Sequence, residues 1–262
     1  MKPADFQFLE KFLLILGNAR SGSTLLGALL DAHPEAVVGH ETLASQEFWR
    51  NRDRRSILEE IGANSERHRE AGKEWEGYRY GIRGFGRTGM IRVAGDKIWN
   101  PATLLLHGDH GLWPRMEETM GVPLRALHVL RDPFDVVATM SVRSRAPLAD
   151  RIRWYFMHCD AVAALSDRLE EPAFRTVRLE ELIARPGEGL ASLCGWLGLE
   201  PGRDYVDACR ERIFARPKRT RADVAWDTGD VRAIVRRAGD HSFLRPYLRE
   251  WGDDPLAIGE ST

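Results

Sequence analysis

The chain is short of cysteine, of net charge and of long apolar runs, and each shortage argues against something. Its three cysteines, Cys159, Cys194 and Cys209, are odd in number and far apart, with no C-x-x-C among them. That fits a reduced, cytoplasmic protein better than a disulfide framework or a zinc site. Lys and Arg total 38 against 39 Asp and Glu, a formal net charge of -1. No partnership with nucleic acid or an acidic membrane surface is expected from such a balance, and any anion site must be a local patch. No apolar run approaches the ~20 residues that span a bilayer. The opening MKPADFQFLEKF carries acids and reads without a secretory leader. With no repeat, low-complexity tract or linker, 262 residues at 43% hydrophobic and 29% charged suit a single domain over residues 1–262.

What is present is organised around Phe12 to Leu30, FLLILGNARSGSTLLGALL. Five apolar residues, Phe12 to Leu16, predict a buried strand. A turn from Gly17 to Gly22 follows, and from Ser23 the spacing of Leu25, Leu26, Leu29 and Leu30 predicts a helix. Strand, glycine turn and helix make an anion cradle, because backbone N–H groups and the helix dipole converge there. Gly17 and Gly22 occupy the glycine positions of a G-x-x-x-x-G-K-[ST] phosphate loop, and Thr24 its last hydroxyl position. Ser23 replaces the lysine, while a cation stands inside the loop at Arg20. An ordinary strand-to-helix turn would not require spacing, hydroxyls and cation together.

A break at His33-Pro34 should end the helix. Ala36 to Gly39 then reads as a strand running into His40-Glu41-Thr42. In open α/β sheets the ligand crevice lies beyond the carboxyl ends of the strands, which brings Glu41 near the cradle. Residues 43–89 are charged and glycine-broken, and read as a helical insertion plus loop covering the acceptor side through Trp49, Trp75, Tyr78 or Tyr80. Gly84 to Gly89 matches G-x-G-x-x-G, but a strand, Met90 to Ala94, follows where a dinucleotide site needs a helix. That strand closes on Gly95-Asp96-Lys97. Residues 101–120 read as irregular helix, and Leu124 to Leu130 as a strand closing on Arg131-Asp132-Pro133. Pro133 suits the first turn of a helix over Phe134 to Ser144. A core helix from Leu148 to about Glu170, a last strand Phe174 to Leu179 and a mostly helical remainder complete the chain. His158 falls on the core helix and reads as structural.

Three strand ends thus offer Arg20, Lys97 and Arg131 to one crevice. Thr139 and Arg143, four apart, share a helix face beyond Arg131. Arg131, Thr139 and Arg143 could hold a second phosphate, with a guanidinium giving two parallel charge-assisted bonds.

These residues carry a resemblance. Arg20-Ser21-Gly22-Ser23-Thr24-Leu25-Leu26, with Leu30-Asp31-Ala32-His33-Pro34 and Gly39-His40-Glu41-Thr42, resembles the sulfotransferase superfamily, most nearly the tyrosylprotein sulfotransferase-like branch and its bacterial relatives. Leu130 to Asp135 is similar to that family's R-D-P-x-D motif, with Thr139 where serine is commoner. Gly95-Asp96-Lys97 resembles its G-D-K segment, with proline delayed to Pro101. Arg178 to Leu182 and Gly195 to Leu199 resemble R-Y-E-D-L and F-L-G, with Leu179 where the family has tyrosine. The likeness runs from about Phe12 to Pro255.

The resemblance implies an α/β fold with a P-loop-like, open and mostly parallel sheet flanked by helices. It implies 3′-phosphoadenosine 5′-phosphosulfate as donor and no metal. Ser21, Gly22, Ser23 and Thr24 would hold the 5′-phosphosulfate, Arg131, Thr139 and Arg143 the 3′-phosphate. Arg20 and Lys97 would stabilise the sulfuryl group and leaving phosphate, and Glu41 would take the acceptor's proton, with His40 and His33 in reserve. Lys218 and Arg219, in the basic run from Arg216 to Arg221, would close on the nucleotide. A small metabolite, sugar or lipid-linked acceptor in a bacterial cytoplasm is expected rather than a protein. Two other readings use the same residues: a P-loop phosphotransferase with Asp132 as a metal-binding acid, and a nucleotide-binding protein without turnover.

Overall fold

The computed structural model describes residues 6–42, 52–70, 74–75, 78–82, 86–169, 171–252 and 254–256. Strand β1 (Lys11–Leu16) is apolar from Phe12 onward because both its faces are covered there. Phe12, Leu14 and Leu16 enter one core cluster, Leu13 and Ile15 the opposite one, as the strand's period of two requires. The turn after β1 feeds helix α1 (Ser23–Asp31), whose Leu25, Leu26, Leu29 and Leu30 lie on the second cluster. Strand β2 (Ala36–His40) follows, then helix α2 (Arg54–Glu70), a two-residue hairpin β3 (Glu74–Trp75) and β4 (Tyr78–Arg79), and strand β5 (Val93–Lys97). Helix α2 packs on β2 and gives Ile57, Leu58 and Ile61 to the first cluster.

Helices α3 (Asn100–Gly108) and α4 (Leu112–Met120) precede strand β6 (Leu124–Leu130) and helix α5 (Pro133–Ser144). Pro133 stands in the first turn of α5, and the Asp132 carboxylate caps it by accepting from Phe134 N–H at 3.0 Å. Helix α6 (Leu148–Arg168), strand β7 (Phe174–Arg178) and helices α7 (Leu179–Ala184), α8 (Pro186–Leu197), α9 (Arg203–Arg210), α10 (Thr228–Gly239) and α11 (Arg245–Trp251) complete the order. Short 3-10 turns at Thr220–Asp223 and Ser242–Leu244 interrupt the last third.

The five long strands form one parallel sheet in the order β2-β5-β1-β6-β7. The chain steps outward from β1 toward β2 and, later, the other way from β6 to β7. A crevice therefore opens beyond the carboxyl end of β1, at the point where the connections diverge. The fold is the open α/β sheet expected from the sequence. Boundaries shift by a residue elsewhere, as at β7, which ends at Arg178, and more at β5: the strand expected from Met90 begins at Val93. Its limits follow its neighbours, since Val93 is paired with Lys11 of β1 and Ala36 of β2. Met90 falls before that pairing and is 46% exposed.

Candidate functional site

The turn after β1 is held by backbone that few side chains tolerate. Gly17 has φ +147, and a Cβ there would sit 2.5 Å from the Val129 carbonyl oxygen of β6. Gly22, φ +95, leads into α1, where a Cβ would meet Leu179 at 2.8 Å. Arg20 between them has φ 73, a left-handed conformation rare outside glycine. Among the described residues no side chain caps α1, so its first N–H groups stay available to an anion. Ser21 is 1% exposed, and its Oγ has no hydrogen-bond partner among the described residues.

At the ends of β2 and β5 an acid and a cation meet. Glu41 N–H donates to the Lys97 carbonyl at 2.8 Å, continuing the strand pairing by one rung. Glu41 then takes φ 57, and its Oε1 accepts from Lys97 Nζ at 2.5 Å. Lys97 is nearly buried, whereas Glu41 keeps 30% of its side chain accessible. Asp96 fixes this turn from below, its Oδ1 accepting from Thr42 Oγ1 at 2.7 Å and Thr42 N–H at 3.2 Å. Gly39 leaves the room for that bond, since a Cβ there would lie 2.8 Å from Asp96 Oδ1. The two motifs, G-H-E-T and G-D-K, are halves of one bracket.

The third corner lies at the end of β6. Arg131 donates through Nη1 to the Arg20 carbonyl at 3.2 Å and through Nη2 to the Lys218 carbonyl, tying the first turn to the late basic run. Thr139 Oγ1 is 2.6 Å from the Asp135 carbonyl and 2.7 Å from Thr220 Oγ1, which is itself 2.6 Å from that carbonyl. Two hydroxyl hydrogens serve three short contacts, so Thr139 can turn its own toward an anion while Thr220 keeps the carbonyl bonded.

Arg221 locks this corner. Its Nη2 lies 2.5 Å from Asp132 Oδ2 and 2.9 Å from Asp135 Oδ2, and its backbone N–H donates to Asp135 Oδ1 at 2.9 Å. Burial works against the Arg221 charge, yet its bonds to Asp135 and Asp132 raise its pKa above the ordinary value. Burial also raises the Asp132 pKa, with Arg221 pulling the other way. Trp251 Nε1 donates to the same Asp132 oxygen at 2.9 Å.

These corners open on one cavity of about 890 Å³, lined by Arg20, Gly22, Ser23, Thr24, Glu41, Lys97, Arg131, Thr139, Arg143 and Lys218. Ser21 and Arg219, the latter 3.7 Å from Asp135, do not line the cavity. Tyr80 does line it, while Trp49 and the side chains of Trp75 and Tyr78 lie outside the described residues. Sequence reasoning passed over Thr220 and Arg221. The basic run and the two acids of R-D-P-x-D were both visible, but their partnership spans 86 residues.

The histidines stand apart. His33 accepts from Glu35 N–H at 3.1 Å on Nδ1, so Nε2–H donates to the Glu200 carbonyl at 3.0 Å, and burial lowers its pKa. His158 donates from Nδ1 to the Trp154 carbonyl at 2.9 Å. His33, His40 and His158 are all outside the cavity lining.

No protein-family model and no curated protein matches the sequence. Solved structures do. Mouse sulfotransferase SULT7A1, complexed with PAP, is 12% identical, with a TM-score of 0.52 over 94% of this chain and 88% of that one. Sulfotransferase STF9 from Mycobacterium avium is also 12% identical, with a TM-score of 0.52 over 91% of this chain and 77% of that one. Among the described residues, no helix is long and apolar enough to cross a membrane. At such identity the likeness speaks to architecture, and on that level the conclusion is plain: this chain has the fold of the sulfotransferases.

Proposed function

We propose that the protein is a sulfotransferase that moves a sulfuryl group from 3′-phosphoadenosine 5′-phosphosulfate to a hydroxyl or amine of a small acceptor. The observation that carries this reading is the convergence of two cationic corners, with Glu41 and Lys97 in direct contact, on a single cavity. The mouse structure's PAP supports the choice of nucleotide.

The residues fit the donor. Ser23 and Thr24 with the α1 N-terminus receive its 5′ end, and the orphaned Ser21 Oγ backs the turn. Arg131, Thr139 and Arg143 receive the 3′-phosphate, and Lys218 and Arg219 flank it. In the transfer to a hydroxyl, the acceptor oxygen forms a bond to sulfur as the bond from sulfur to the 5′-phosphate oxygen breaks. The electron pair leaves on that phosphate, and the acceptor's proton passes to Glu41. Arg20 and Lys97 stabilise the charge building on the equatorial and leaving oxygens. Donor binding offers Lys97 Nζ a second anion, which releases the Glu41 carboxylate to act as base. Sulfuryl oxygens carry less charge than phosphoryl oxygens, so side-chain cations suffice. The phosphotransferase reading needs Asp132 as a free ligand, and Arg221, Trp251 and the α5 N-terminus already occupy its oxygens.

Adenosine 3′,5′-bisphosphate should stabilise the protein against thermal unfolding by about 2.7 kcal/mol at 100 times its dissociation constant, and ADP with Mg²⁺ far less. Equal stabilisation by both overturns the reading. Arg131→Ala should erase the preference. Glu41→Gln should keep it while cutting turnover by about 10² or more.

A further inference from the structure

Of the cations lining the cavity, the donor leaves Arg151 and Arg216 unused, and Arg151 is the less exposed of the two. Arg151, on α6, lines the cavity beside Trp154. Every acid in the lining already has a partner: Glu41 is bonded to Lys97, and Asp223 lies 3.9 Å from Lys218. Asp150, next to Arg151 in the chain, pairs with Arg153 instead. The Arg151 guanidinium makes no hydrogen bond or ion pair among the described residues, and its Nε is buried without a partner. Its place also runs against helix electrostatics. The fourth position of a helix lies near the positive end of the dipole, which gives a cation no support.

Its neighbours mark which end of the cavity it serves. Arg151 and Trp154, three apart, share a face of α6, and α6 packs against α3. Trp99 and the first two residues of α3, Asn100 and Pro101, line the cavity shortly after Lys97. Trp99 stands two residues after Lys97, which ties this wall of the cavity to the Glu41–Lys97 pair. Part of the lining is both apolar and exposed: Trp99 is 49% exposed and Val142 52%, although both are large hydrophobic residues. Exposed apolar surface gathered in a pocket marks a binding surface. An unpaired guanidinium beside tryptophan, in a partly dry site, calls for a planar anion that accepts two bonds at once.

Resting on the sulfotransferase reading for the identity of the site, we propose that Arg151 determines acceptor specificity by binding a carboxylate. The acceptor is a hydroxy compound with an aromatic or alkyl body, its hydroxyl at Glu41 and its carboxylate at Arg151. An uncharged sugar lacks both the apolar body and the anion.

A matched pair tests this: para-hydroxyphenylpropionate and its methyl ester, identical except for the charge. The wild-type protein should bind the acid about tenfold more tightly than the ester in calorimetry with adenosine 3′,5′-bisphosphate present, a difference of about 1.4 kcal/mol. Its kcat/KM with the phosphosulfate donor should favour the acid by a similar factor. Arg151→Gln should abolish both preferences, Arg151→Lys should restore part of them, and nucleotide affinity should stay the same in both variants. No preference in the wild type, including binding of neither compound, overturns the proposal. So does a preference that survives in Arg151→Gln, or a loss of nucleotide affinity there, which would place Arg151 in the donor site. An acid preference that depends on Arg151 without any nucleotide binding or turnover would keep the anion site and sink the sulfotransferase reading instead.

Discussion

Arg221 shows how much depends on a single guanidinium in the interior. It is 3% exposed and answers two carboxylates that are 4% and 1% exposed. Asp135→Ala strips away the partner that bonds it most extensively and leaves the charge buried, so about 3–5 kcal/mol of stability should be lost in urea titrations. Asp135→Asn keeps the shape and some bonds, and should cost less. The same acids were legible in the sequence only as parts of a motif. Nothing near Asp132 or Asp135 in the chain announced that their counter-ion would come from Arg221, because ion pairing over such separations is decided by the fold. Arg20, Lys97 and Arg131 were legible for the opposite reason: Lys97 ends β5, Arg131 directly follows β6 and Arg20 lies in the turn after β1, and strand ends in an open parallel sheet share one edge. Ser21 sits at the centre of the turn's signature, yet it is buried and does not line the cavity, a matter of turn geometry that spacing does not encode.

The strands were legible as elements because their apolar runs had to be covered on both faces, and β1 and β6 match the expected spans closely. The boundary of β5 was not, because pairing partners rather than its own residues set where it starts. Gly95 within it is a sheet residue by necessity. A Cβ there would lie 2.3 Å from the Leu13 carbonyl oxygen of β1. Gly95→Ala should push the two central strands apart, at a cost of about 3 kcal/mol, and should weaken nucleotide binding through the adjoining Asp96-Lys97 turn. Circular dichroism melts and nucleotide titrations would register both. At the late run, Thr220→Val removes the hydroxyl that keeps the Asp135 carbonyl bonded and commits Thr139 to it. Affinity for adenosine 3′,5′-bisphosphate should fall while affinity for a nucleotide lacking the 3′-phosphate changes little.

The whole molecule carries its own pH signature. His128 of β6 is wholly enclosed, with Nδ1 3.2 Å from Thr176 Oγ1 and its ring 5.0 Å from that of Phe243. Burial pulls its pKa down to about 3, and the His241 charge adds to the effect. Between an ordinary imidazole pKa and that value the unfolded chain binds the extra proton, so stability falls as pH drops through this window, by at most about 1.4 kcal/mol per pH unit. Burial raises the pKa values of Asp132 and Glu180, which contribute with the opposite sign. Comparing the wild type with His128→Phe in urea at about pH 7 and about pH 4 isolates the imidazole, and the wild type should lose more.

The backbone bond from Glu41 to Lys97 reaches further than the chemistry of one turn. It hangs the proposed base and its cation from one rung of the central sheet, so the backbone of neither can drift without the other. Trp99 and Val142 in the exposed lining are under no such constraint. Laboratory selection for new substrates should therefore accumulate changes in that lining and leave the rung untouched. The architecture divides what is inherited from what is free to vary.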